Sequence, residues 1–120
     1  MNRWVLLKHE ITGSNSFEIH YDLLIENCED CLTWKFFTIP KINGDPVRII
    51  QQNNHRLIWL SRESQELSRG RGYVKRIDYG TYKSFEKQMK LNRFSIILNG
   101  QKIVGLLIKK DNFCKLISSN

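Results

Sequence analysis

The sequence predicts an all-β fold, specifically a compact single-domain β-barrel with at most a minor helix. Short apolar or alternating runs dominate the chain. Clusters of turn-forming residues separate those runs. The length, 120 residues, suits one core and not two, so residues 1–120 are read as one domain. A 41% hydrophobic content with 3 Trp, 4 Tyr and 6 Phe supplies a packed interior, which a disordered chain would lack.

The first strand is expected at Trp4–Lys8. Its apolar stretch is too short for a signal sequence and has no small-residue cleavage site, so a cytoplasmic location is expected. Further strands follow at Phe17–Glu26, Leu32–Thr38, Val47–Gln51, Leu57–Leu60, Tyr73–Asp78, Thr81–Glu86, Phe94–Leu98, Ile103–Lys109 and Phe113–Ile117. Turns are expected at residues 12–16, at Ile42-Asn43-Gly44-Asp45-Pro46 and at Tyr79-Gly80. Asn99-Gly100 is the strongest hairpin signal, because both residues tolerate the positive φ of a type I′ turn. Helix signals are weak: Asn54–Glu66 shows no clean apolar stripe, and a single turn could form near Ser84–Lys90. No apolar run approaches the ~18 residues of a membrane-spanning helix.

Charge and cysteine content narrow the function classes. Lys and Arg number 19 against 12 Asp and Glu, a net charge of +7 that favours polyanions by counterion release. A generically basic surface is the competing explanation. The three cysteines, Cys28, Cys31 and Cys114, are an odd number, which argues against a disulfide framework. Cys28-Glu29-Asp30-Cys31 has the spacing of half a zinc site, but no second such pair exists, so free turn thiols are the reading.

Chemistry concentrates in Ile19-His20-Tyr21-Asp22-Leu23-Leu24-Ile25-Glu26. On a strand, alternate side chains share a face, so Ile19, Tyr21, Leu23 and Ile25 point to a core and His20, Asp22, Leu24 and Glu26 point away. His20 and Asp22 are then about 6.5–7 Å apart at Cβ, close enough to converge on one divalent cation. A solvated strand face is the alternative. His9 ends the first strand, and if the first two strands pair it can join His20 and Asp22 as a third ligand. A second constellation is Ser68-Arg69-Gly70-Arg71-Gly72-Tyr73-Val74-Lys75-Arg76, in which glycines allow close backbone approach to an anion and cations neutralise it. A flexible basic turn would look the same. No nucleophile elbow, triad spacing or Walker-type loop is present, so metal-activated water is a better enzymatic expectation than covalent catalysis.

Taken in order, these motifs resemble the 3′-phosphoesterase domain of bacterial DNA ligase D, in a compact stand-alone form. The likeness runs from Lys8-His9 through His20-Tyr21-Asp22-Leu23-Leu24-Ile25-Glu26, Leu32-Thr33-Trp34, His55-Arg56-Leu57-Ile58-Trp59 and Gly70-Arg71-Gly72-Tyr73-Val74. It continues through Asp78-Tyr79-Gly80-Thr81-Tyr82 and Phe94-Ser95-Ile96-Ile97-Leu98-Asn99-Gly100 to Gly105. The resemblance implies a β-barrel holding manganese that removes phosphates and ribonucleosides from nucleic-acid 3′ ends in DNA end repair. It implies His9, His20 and Asp22 as metal ligands, His20 and Asp22 thereby also serving catalysis. It assigns His55 to the scissile phosphate as a catalytic donor. Arg48 would help grip phosphate, while Arg69, Arg71, Lys75 and Arg76 would hold the strand backbone. Partners would be DNA or RNA–DNA 3′ ends and a separately encoded ligase or polymerase, with no membrane, and a monomer is expected.

Three departures stand out. Leu24 occupies the place of a phosphate-binding arginine, the segment between His9 and His20 is longer than in the fused enzymes, and Trp59 replaces a tyrosine. The alternative expectation is therefore a family member with weak or no catalysis that binds nucleic-acid ends or scaffolds repair proteins.

Overall fold

The computed structural model describes residues 2–13, 15–67, 70–84 and 90–119. Ser68, Arg69 and residues 85–89, which include part of the basic loop and most of the helical turn expected near Ser84–Lys90, lie outside the described residues. The strands are β1 (Arg3–Thr12), β2 (Phe17–Asn27), β3 (Asp30–Phe36), β4 (Val47–Arg48) and β5 (Ile50–Arg56), followed by β6 (Ser64–Leu67), β7 (Gly72–Ser84), β8 (Arg93–Gly100), β9 (Val104–Lys110) and β10 (Phe113–Ile117). One 3-10 turn, Leu57–Leu60, lies between β5 and β6.

The chain is mostly β, but its sheet is not the closed barrel that the sequence predicts. Strand order is β4-β10-β9-β8-β7-β1-β2-β3-β5, with β6 branching off β7. A barrel needs its first and last strands to hydrogen-bond side by side. Here those ends are β4 and β5, which are consecutive in the chain with only Ile49 between them, so the backbone itself crosses from one edge to the other. The branch at β7 breaks closure a second time, because residues 72–75 pair with β6 and residues 80–84 with β8.

Several sequence-predicted boundaries change for physical reasons. Tyr79-Gly80 is not a turn; the two runs it was expected to separate form one strand, β7. Gly80 is required there by close approach, since a Cβ would lie 1.9 Å from the Asn99 carbonyl oxygen. Leu57–Leu60 is a 3-10 turn, not a strand, and Ser64–Leu67 pairs with β7 where no strand was expected. The β8–β9 hairpin forms, but Asn99 pairs with Val104 and Gly100 N–H donates to the Ile103 carbonyl, which moves the turn onto Gln101-Lys102. Buried Asp78 fixes that turn by accepting the N–H groups of Gln101, Lys102 and Ile103 at 2.7–3.2 Å.

The curled sheet encloses a main core of Trp4, Leu6, Leu23, Ile25, Trp34, Phe36, Ile49, Phe94, Ile96, Leu98, Leu107 and Leu116. A second, smaller core lies on the opposite face of β1–β3 and joins Val5, Leu7, Leu24, Cys31, Leu60 and Val74. Leu57, Trp59 and Leu67 cover it, which explains why the 3-10 turn and β6 form where the sequence shows no clean periodicity. The face of β2 opposite the main core is consequently not a solvated surface. His20, Asp22, Leu24 and Glu26 are all buried, Leu24 completely. Among the described residues no helix is long and apolar enough to cross a membrane.

Candidate metal centre

Register builds the centre. β1 and β2 pair antiparallel with His9 directly opposite His20 and Leu7 opposite Asp22. Directly opposed residues share a face, and so do His20 and Asp22 two residues apart, so three ligand-type side chains are bound to converge. Their candidate ligand atoms lie within 4.8 Å of one another. His9 Nδ1 is 3.2 Å from His20 Nε2, and Asp22 Oδ2 is 3.7 Å from the first and 3.4 Å from the second.

The outer partners of the two rings decide what those atoms can do. His9 Nε2 is 2.7 Å from the backbone carbonyl oxygen of Arg71, which can only accept, so Nε2–H donates and Nδ1 of the neutral ring carries a lone pair. His20 Nδ1 is 2.7 Å from Glu18 Oε2, a carboxylate acceptor, so Nδ1–H donates and Nε2 carries the lone pair. Both lone pairs and the Asp22 carboxylate therefore face one another. A single proton between two of these atoms would leave the third acceptor without a donor. One divalent cation would satisfy all three, and imidazoles whose second nitrogen donates to a carbonyl or carboxylate are the usual metal-bound arrangement. The site is a buried His–His–Asp cluster able to coordinate a divalent metal ion.

The Arg71 carbonyl reaches His9 because of Gly72. Its φ is +98°, and a Cβ there would lie 2.0 Å from the Glu10 carbonyl oxygen, so only glycine lets β7 begin this close to β1. The sequence read these glycines as an anion grip; in the structure Gly72 places the partner of a candidate metal-ligand histidine.

The remaining sequence-predicted residues are dispersed. His55 pairs with Cys31 across β3 and β5, and its Nδ1 is 3.1 Å from Thr33 Oγ1. Thr33 pairs with Leu24, so His55 is held beyond that leucine and outside the three-ligand group. Its ring meets Trp59 edge-on at 6.3 Å between centroids. Arg48 pairs with Phe113 on β10. Lys75 is exposed opposite Lys8, and Arg76 stacks on Tyr79 at 4.1 Å with Glu63 at 3.4 Å. Arg69 lies outside the described residues.

No protein-family model matches the chain, and no curated protein matches it. The likeness to the ligase D domain stays one of short motifs. The barrel that it implied is absent, and nothing in the site is specific to DNA repair.

Sequence reasoning missed Glu18 and the Arg71 carbonyl. Glu18 was within reach, since Glu18, His20 and Asp22 alternate along one strand face. The carbonyl was not, because it depends on how β7 meets β1. Cys28 and Cys31 do not form half a metal site of thiolates. Cys28 is exposed in the β2–β3 turn, whereas burial in the second core pushes the Cys31 thiol up to about 11 and keeps it protonated.

Proposed function

We propose that the protein is a metal-dependent phosphoesterase acting on nucleic-acid 3′ ends, with manganese as the working cation. The observation that carries this reading is the convergence of His9 Nδ1, His20 Nε2 and Asp22 Oδ2 with both outer ring nitrogens already donating. The motif order from His9 to Gly105 supports the reaction class, and the net charge of +7 supports a polyanionic substrate. When bound, a divalent cation supplies Lewis acidity toward a phosphoryl oxygen and lowers the pKa of a coordinated water. Glu18 and the Arg71 carbonyl keep the rings turned inward, so the ligand set needs little reorganisation. Arg71, Lys75 and Arg76 attract the strand backbone without reading its sequence. The direct test is release of phosphate from a 3′-phosphorylated primer in Mn²⁺. Activity no greater than that of a His20→Ala control would refute the reaction.

A second reading is a binding module that holds such ends without turnover. The specific observation favouring it is Leu24, fully buried in the second core where the resemblance calls for a phosphate-binding arginine. Salt-sensitive binding of nucleic-acid ends with no product formed would select it over the enzyme.

A further inference from the structure

With Leu24 buried, β2 offers no cation to the space above the metal centre, and the neighbouring strand does. Lys35 on β3 is the register partner of Asp22. Directly opposed residues of an antiparallel pair share a face, with Cβ atoms about 4.5–5.5 Å apart, so the Lys35 side chain rises from the sheet beside the metal-ligand carboxylate. The same alternation that sends Trp34 and Phe36 into the main core sends Lys35 outward.

The ammonium group there is not neutralised. Among the described residues Lys35 has no carboxylate within ion-pair distance, because Asp22 turns its oxygen toward the two histidines. The Lys35 Nζ instead lies over the ring of Phe37, 5.1 Å from its centroid. Phe37 is 51% exposed, and its ring also meets His20 edge-on at 6.4 Å between centroids. One exposed aromatic ring therefore touches both a metal ligand and an uncompensated cation. A phosphate needs positive charge beside its metal-held oxygen, and a terminal base needs a π surface beside that phosphate.

We propose that Lys35 and Phe37 form the substrate-facing wall of the centre. The Lys35 ammonium binds an oxygen of the terminal phosphate, and Phe37 stacks on the base that carries it. This assignment rests on the phosphoesterase reading and specifies how that site recognises its substrate. Lys35 does from β3 what an arginine at position 24 could do only by entering the second core.

The test uses the full chain, titrated first with Mn²⁺ alone and then, at fixed Mn²⁺ and salt, with short fluorescent oligonucleotides ending in 3′-phosphate or 3′-hydroxyl. Lys35→Gln is expected to leave Mn²⁺ affinity unchanged and to weaken binding of the 3′-phosphate end about tenfold, with Lys35→Arg restoring most of it. Binding of the 3′-hydroxyl end should not change in either variant. Phe37→Ala should weaken both oligonucleotides by a similar factor, and Phe37→Trp should restore them. Wild-type affinity of Lys35→Gln for the 3′-phosphate end would overturn the wall and leave the metal centre standing. Equal weakening of both ends would also overturn it, because the lysine would then be a general backbone contact. Loss of Mn²⁺ binding in Lys35→Gln would mark a structural role. Failure of the wild-type chain to take up Mn²⁺ would remove the phosphoesterase reading itself.

Discussion

The outer face of β1 and β2 carries a polar cluster at each end, and the two are built on opposite principles. At one end Arg3 meets Glu26, and the backbone N, Nε and Nη2 of Arg3 donate to that one carboxylate at 2.8–3.1 Å. Donors and acceptor are matched, and the pair needs nothing else. Six residues along each strand, His9 faces His20, and with Asp22 they present three acceptors to one another. Between the clusters Val5 faces Leu24 in the second core. Burial of polar groups is common to both ends, so burial alone does not mark a site. What separates them is whether the hydrogen-bonding inventory closes.

The middle row gives the largest expected effect. Leu24→Arg would place an unpaired charge among Val5, Leu7 and Leu60, and it should destabilise the fold by about 3–5 kcal/mol in urea unfolding. Near-neutral behaviour would mean that the second core is looser than its burial implies. At the open cluster, His20→Ala should weaken Mn²⁺ binding at least ~100-fold by calorimetric titration, about 2.7 kcal/mol, whereas Glu26→Gln should leave it unchanged. If both variants retained the metal, the contrast between the two ends would fail.

Glu18→Gln tests whether the outer partner of His20 orients the ring. An amide can present its NH₂ to Nδ1 and invert the tautomer, so Mn²⁺ affinity should fall about tenfold. The smallest effect belongs to the matched pair. The Arg3 guanidinium, through its hydrogen bond, holds the Glu26 carboxyl below its ordinary 4.5. A depressed folded-state pKa contributes stability that is present above the unfolded value and is lost as pH falls through the folded one. Wild-type stability should therefore decline below about pH 4.5 by ~1 kcal/mol relative to Glu26→Gln, measured as urea midpoints across pH.

The candidate ligands were legible because they depend on local rules. Strand alternation puts His20 and Asp22 on one face, and neighbouring strands tend to pair, which recruits His9. His55 was not legible in the same way: its motif marks it, but Thr33 holds it beyond Leu24. Hairpin β8–β9 was readable from its flanks, yet its turn was displaced by Asp78, a residue more than twenty positions earlier in the chain.

By itself, then, the sequence determined an alternating β chain, the two faces of β2, and a His–Asp pair with a third histidine in reach. Only the tertiary structure decided that the sheet stays open, that Tyr73–Asp78 and Thr81–Ser84 belong to one strand, and that the outward face of β2 is buried. It also decided which atoms of the histidines are free to bind a cation, through Glu18 and the Arg71 carbonyl, and which cation, Lys35, stands beside them. The physical reason is that side-chain periodicity is a property of one strand, whereas cover, register and hydrogen-bond partners belong to pairs of strands distant in the chain.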